Sequence, residues 1–426
     1  MKRLKFFLSF ILILAIFVSS LSLTAVSYET DVETSTADML LVNLDTDTVV
    51  FSQKPDNIWY AGSLSELMTF LVAYESIEEP KKVTFKVEQS FLDGLPYKDG
   101  CLDKFVGQTL TATDLMAIML LTSGSDAAYA LASLASDGDI DAFVKSMNER
   151  AVLLGCDNTG YMSPGMHETS AQYTTCRDLH KLYMAVRKIS LFSEIMKLDS
   201  YTPKGLDAKQ YSVGIEVSIL NPDSPYYFKY TNDAQFSYTE KTYANIAATT
   251  TYHGQTYFYA GLLGLNDSER NAYADAKKLT TWAYLNLSDR KLLDDNQKVS
   301  DVTVQSGWGE YKIELHPYNS AYRTLPKNFD DDKLTYDLDV PAAVKTPFVK
   351  GQALGRTKVL YDDEEIDDIA LISDSDEGLD MLSDMGRFGS YVIKELMPFG
   401  REEEEDGQKA SDLVKPADAE NAAGRE

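Results

Sequence analysis

The sequence predicts an α/β (α+β) domain followed by a small all-β domain. Three observations carry this. With 426 residues the chain is long enough to bury two cores. Strand-like runs open and close the first part, near 37–53 and 245–265, and helix-period segments lie between and after them. Beyond residue 298 the pattern turns to short β-like runs separated by Gly and Pro.

Ala37 to Gln53 holds two apolar runs around Asp45-Thr46-Asp47, which reads as strand–turn–strand. Tyr60-Ala61-Gly62 is a loop entering a helix. From Ser63 the apolar residues Leu64, Leu67, Met68, Leu71 and Val72 recur at helical spacing. Ser63 with Glu66 three residues on has the form of a capping box. A serine at a helix start can also serve as a nucleophile near the positive end of the dipole. Pro80 breaks the helix, Lys82 to Ser90 reads as a strand, and Gly94 to Gly107 as a turn-rich insert.

Thr113 to Leu121 is helical and runs into the turn Ser123-Gly124-Ser125, after which a second helix continues to about Ala135. Asp141 to Leu154 is a third amphipathic helix. Gly155 to His167 is a loop, and Thr174-Thr175 caps the next helix. Asn245 to Thr251 alternates as a strand, Tyr252-His253-Gly254-Gln255 turns, and Tyr257 to Leu265 returns. Asp275 to Leu287 is helical, which puts a domain boundary near Ser288 to Lys298. Short strands follow at Val302–Val304, Tyr311–Leu315, Lys333–Leu338, Thr357–Tyr361 and Ile369–Ile372. In Leu379 to Met397 an apolar stripe (Leu382, Met385, Phe388, Val392, Leu396) suits a helix, although Gly386 and Gly389 weaken it. Residues 401–426 have the acidic, polar composition of a disordered tail.

A net charge of −26 excludes nucleic-acid binding through a basic surface and disfavours broad adhesion to anionic lipid. Lys2, Arg3 and Lys5 precede an apolar run from Phe6 to about Val26, with small residues Ala25 and Ser27. Residues 1–27 therefore read as a secretory signal peptide cut near Ser27, with an uncleaved anchor as the alternative. Either way the protein is expected outside the cytoplasm. Cys101, Cys156 and Cys176 lack Cys-x-x-Cys spacing and leave room for at most one disulfide, and the four histidines show no metal-binding spacing. No metal or cofactor is expected.

The Ser63 segment resembles the Ser-x-x-Lys helix of the D-alanyl-D-alanine carboxypeptidases, the low-molecular-mass penicillin-binding proteins. Their typical run is Pro-Ala-Ser-Leu-Thr-Lys-Leu-Met-Thr. Ser63, Leu64, Met68 and Thr69 match it, Ser65 stands for Thr, and Glu66 stands where the catalytic Lys belongs. The 155–179 passage, the hairpin at 252–255 and the turn Val349 to Gly355 are similar to further family passages. The resemblance implies a beta-lactamase/transpeptidase-like domain over about 36–287, with a central antiparallel sheet flanked by helices. It also implies a β-sandwich domain over about 298–376. For 379–397 it implies a helix on the membrane surface; packing on the β domain is the other reading.

The resemblance assigns Ser63 to the nucleophile position, Glu66 to the general-base Lys position and Ser123 to the serine of Ser-x-Asn, with Ser125 in place of Asn. Counted without gaps, the Lys-Thr-Gly strand falls on Ala234, Gln235 and Phe236 as substrate-binding positions. Lys229 and Lys241 are the candidate displaced cations, against their reading as ordinary surface lysines. The family's substrate, a peptidoglycan stem peptide, ends in a carboxylate. A Glu roughly 4 Å from an anion costs on the order of 4 kcal/mol at an effective dielectric near 20. That is roughly a thousandfold in affinity. Glu66 can still act as a base, since carboxylates do so elsewhere, but a base does not restore anion recognition. The expectation is an exported cell-wall protein of this kind, impaired or inactive in trimming D-alanine. The alternatives are an active carboxypeptidase with re-spaced motifs and a non-catalytic peptidoglycan- or envelope-binding scaffold.

Overall fold

The computed structural model describes residues 28–96, 100–167, 169–204, 211–241, 243–264, 269–306, 309–346 and 348–373. The expected leader, the 379–397 helix, the 401–426 tail and Thr242 lie outside them. Two compact units emerge. One runs to Gln297 and includes Pro317–Asp339 and Arg356–Ala370; the other takes Lys298–His316, Val340–Gly355 and the chain from Leu371.

The first unit is built on an antiparallel five-stranded sheet. Strands β1 (Thr36–Asn43) and β2 (Thr48–Gln53) form the opening hairpin. Asp47 turns between them at φ 51°, a left-handed conformation that Asp tolerates better than most residues. Then come the helices α1 (Glu66–Ser76), α2 (Ala112–Thr122), α3 (Ser125–Ala135), α4 (Ile140–Leu153) and α5 (Cys176–Arg187). Strands β3 (Thr231–Thr239), β4 (Tyr243–Tyr252) and β5 (Gln255–Gly264) follow, and α6 (Glu269–Asn286) ends the run. The sheet order is β2-β1-β5-β4-β3, so β3 is an edge. The β4–β5 turn is the expected two-residue hairpin, with His253 at φ 49° and Gly254 at φ 83°, as a type I′ turn requires.

Successive residues of a strand point to opposite faces, and β5 shows what each face carries. Phe258 packs against His180 and Tyr183 of α5, whereas Tyr257 packs against Tyr284 of α6. Helices therefore cover both faces of the sheet. α1 is buried over most of its length among α3, α4 and α5. Thr175 caps α5 as expected, accepting from the Asp178 backbone N–H at 3.1 Å. Thr175→Ala should cost about 1 kcal/mol, read as a shift of the urea midpoint with an unchanged slope.

Elsewhere the structure departs from expectation. Ser63 does not cap a helix: Gly62–Ser65 is a 3₁₀ turn and the α-helix begins at Glu66, with no side-chain cap. The strand expected over 82–90 is confined to Thr84–Lys86, and Gln89–Asp93 is a short helix. The change of unit at Gln297 falls within the expected boundary range 288–298, but the first part of that range forms an unexpected strand, β6 (Leu287–Leu293), paired with β9 (Ala321–Pro326). β9 is held to the β1–β2 turn: the Thr46 and Thr324 hydroxyls lie 2.6 Å apart, and Arg323 donates to the Thr46 carbonyl at 3.0 Å. The three cysteines are buried and free.

The remaining strands are β7 (Ser300–Ser306), β8 (Gly309–Pro317), β10 (Leu334–Asp339), β11 (Ala343–Lys345), β12 (Ala353–Tyr361) and β13 (Glu364–Ser373). In the second unit β7 pairs with β8 and β11. Its core gathers Val302, Val304, Ile313, Leu315, Phe348 and Leu371. In the first unit β10 pairs with β12.

Candidate active site

Four chain segments meet at Ser63. The 3₁₀ turn that carries it starts from Gly62 at φ 56°, a left-handed backbone conformation that Gly enters at the least cost. The Ser63 side chain is 5% exposed. Its hydroxyl donates to the Phe236 carbonyl of β3 at 3.3 Å, and its backbone N–H donates to Ser237 Oγ at 2.9 Å. Behind it, Ser65 Oγ donates to the Gly62 carbonyl at 2.8 Å and accepts from Gln172 at 3.1 Å. Gln172 also donates to the Gly165 carbonyl at 2.7 Å, so the 163–172 loop braces the turn.

Glu66 lies one helical turn beyond Ser63 and is fully buried. Ser125 Oγ donates to Glu66 Oε1 at 3.5 Å and accepts from the Met166 backbone N–H at 2.9 Å. A Cβ on Gly165 would come within 2.7 Å of Ser125 Cβ, which explains the glycine at that close approach. Glu66 thus belongs to the bracing between α1, α3 and the 163–172 loop. Glu66 Oε1 accepts from Ser125, while the Ser63 hydroxyl is directed to Phe236.

Ser123 ends α2 in the left-handed conformation, at φ 50° and ψ 42°. Its hydroxyl donates to the Phe236 carbonyl at 3.4 Å, so Ser63 and Ser123 share one acceptor. Two elements 60 positions apart in sequence are therefore brought onto one atom of a third.

The third element is the edge strand β3, in register with β4 from Thr239 opposite Tyr243 to Asp233 opposite Thr249. Gln235 is buried and donates to the Leu120 carbonyl at the end of α2 at 2.8 Å. Phe236 contributes its carbonyl, while its ring stacks on Tyr273 of α6 with centroids 4.6 Å apart. Ala234 is buried in the core, one residue out of phase with Gln235 and Ser237, so its side chain does not join the site. Neither candidate displaced cation is among the residues that line the cleft. Lys229 is exposed, with its ammonium 4.9 Å from the Tyr230 ring centroid, and Lys241 is exposed in the β3–β4 turn.

These elements border a cleft of about 330 Å³ lined by Ser63, Thr122, Ser123, Met166, Glu216, Val217, Phe236, Ser237 and Tyr238. Glu216 is the one charged side chain among these lining residues. Its segment is fixed by the Glu216 N–H donating to the Leu121 carbonyl at 2.9 Å. Deeper in β3, Asp233 accepts from Tyr183 at 2.8 Å and Thr249 at 2.5 Å, with Arg187 at 3.5 Å. Burial pushes its carboxyl above the usual range, against the pull of these donors. Sequence reasoning missed Glu216, Met166, Ser237 and Tyr238. For Ser237 a signal existed: Asp233, Gln235 and Ser237 alternate with Ala234, Phe236 and Tyr238, the period of a strand with one polar face.

A five-stranded antiparallel sheet, helices on both faces, and a serine at a helix start facing an edge strand define the class: a penicillin-binding-protein fold with a small β domain after it. The chain belongs to the D-alanyl-D-alanine carboxypeptidase family, whose sequence profile matches residues 24–258. The profile of the penicillin-binding protein 5 C-terminal domain matches residues 287–378. Similar curated proteins include the D-alanyl-D-alanine carboxypeptidase DacA of Haemophilus influenzae, 22% identical over 364 residues, with 83% of this chain and 86% of that protein covered. The D-alanyl-D-alanine carboxypeptidase DacF of Bacillus subtilis is 24% identical over 336 residues, covering 77% and 82% respectively. Among solved structures, penicillin-binding protein 5 from Haemophilus influenzae superposes with a TM-score of 0.69 at 19% identity, covering 82% of this chain and all of that one. Penicillin-binding protein 6B from Escherichia coli gives 0.61 at 17% identity, covering 82% and 99%.

Proposed function

We propose that this protein is an exported cell-wall member of the family that keeps the peptidase cleft but is impaired in serine carboxypeptidase chemistry. One observation carries the reading. Glu66, where the family places its lysine, is a fully buried carboxyl bonded to Ser125, and the Ser63 hydroxyl is directed to a carbonyl instead. A backbone carbonyl accepts a hydrogen bond but is far too weak a base to take the hydroxyl proton.

The curated relatives are named as D-alanyl-D-alanine carboxypeptidases, and a peptidoglycan-derived ligand suits the inherited cleft. The basic start and apolar run over residues 2–26 support export. Among the described residues no helix is long and apolar enough to cross a membrane.

The test is acylation of the purified full chain by a fluorescent penicillin. No labelling above that of Ser63→Ala is expected. Labelling at Ser63 that disappears in Ser63→Ala would show the site to be active and end this reading.

A further inference from the structure

When a serine attacks a carbonyl, the carbonyl oxygen takes up negative charge and needs preorganised donors. The nucleophile's own backbone N–H is a donor of this kind in serine peptidases. Here that N–H is already engaged. The Ser63 N–H carries one hydrogen, and it points at Ser237 Oγ at 2.9 Å. Both residues are buried, Ser237 to 1% exposure, so bulk water does not compete for the bond. We propose that Ser237 plugs the anion pocket of the cleft. Its hydroxyl oxygen sits on the donor that an acyl oxyanion at Ser63 would require. The proposal rests on the reading above in taking Ser63 as the nucleophile position.

The neighbourhood fixes the plug in place. Ser237 stands opposite Asn245 in the β3–β4 register. The Asn245 side chain donates to the Tyr60 carbonyl at 3.1 Å and accepts from the Leu263 N–H at 3.0 Å, so the strand beside Ser237 is tied to the approach to Ser63. On the other side the hydroxyl fits because residue 62 is glycine. A Cβ there would lie 2.1 Å from Ser237 Oγ and 3.0 Å from Ser237 Cβ. The left-handed backbone of Gly62 and the hydroxyl of Ser237 thus form one fitted pair.

The experiment is residue-resolved amide hydrogen exchange by NMR on the full chain. In the wild type the Ser63 amide should exchange at least tenfold below its unstructured rate, and Ser237→Ala should accelerate it about tenfold. The Leu64 and Met68 amides should keep their rates, which a general loosening of the turn would not allow. A Ser63 amide that already exchanges at the unstructured rate in the wild type overturns the proposal without any variant. An unchanged Ser63 rate in a folded Ser237→Ala protein overturns it as well. Penicillin labelling reports on the hydroxyl, whereas exchange reports on the N–H. Labelling with a protected amide therefore sinks the impaired-enzyme reading alone, and silence with a freely exchanging amide sinks the plug alone.

Discussion

Phe258→Ala is expected to lower the stability of the protein by about 3–5 kcal/mol, read from urea or thermal unfolding of the full chain. Phe258 is fully buried at the centre of β5, and its ring lies 5.2 Å from both His180 and Tyr183 of α5. Truncation removes the apolar transfer term and leaves a cavity lined by two rings held by their own helix. Tyr183 cannot follow the retreating surface easily, because its hydroxyl is bonded to Asp233 at 2.8 Å. α5 also packs on α1, whose first turn adjoins Ser63. The loss should therefore reach the cleft as faster amide exchange along α1. A cost below about 1 kcal/mol would show that this layer collapses without strain.

The second large effect is an acid-dependent loss of stability at His180. Its ring is buried, and neither nitrogen has a hydrogen-bond partner among the described residues. Burial, with smaller contributions from Arg177 and Lys181, lowers its pKa to about 4. In the unfolded chain the imidazole titrates near its ordinary value of about 6.5. Above that value both states are neutral and His180 gives no pH dependence. As the pH falls from about 6.5 to about 4, the unfolded chain binds a proton that the folded protein refuses. Stability then declines by about 3 kcal/mol in total. Asp38, Asp45, Asp47 and Asp233 are pushed upward by burial and contribute the opposite slope at acid pH. The effect is therefore read as a difference: as the pH falls from 6.5 to 4, the unfolding free energy of the wild type should drop by up to about 3 kcal/mol relative to that of His180→Leu. Parallel curves would assign the acid sensitivity elsewhere.

Much of this fold could be read from local pattern, because several elements carry their own signals. The 252–255 turn has Gly254 where positive φ is needed, and the helix at Thr175 has a cap and a strong apolar stripe. β3 was placed through family spacing, and its own signal, an alternation with a polar face, went unread. Its inward residues Asp233, Gln235 and Ser237 are polar, so a period-2 apolar search passes over it, and their burial is compensated by partners on α5, α2 and the Ser63 turn. No strand was evident over 287–293, where Ser288 to Lys291 are all polar; the pairing of β6 with β9 is decided in three dimensions. At Ser63 the capping-box pattern misled for a related reason. Gly62 bends the entry into a 3₁₀ turn, and the Ser63 hydroxyl and N–H are claimed by β3 before they can serve the helix.

The fitted pair of Gly62 and Ser237 also restricts how the molecule can change. The family run Pro-Ala-Ser places an alanine at position 62. Here that methyl group would need to occupy the space of the Ser237 hydroxyl and to accept a backbone at φ 56°. A single change of Gly62 to the family's alanine is therefore blocked while Ser237 remains. Replacing Ser237 by glycine removes the clash and leaves only the strain of a positive φ, so the order of the two changes sets how much an intermediate between them is destabilised.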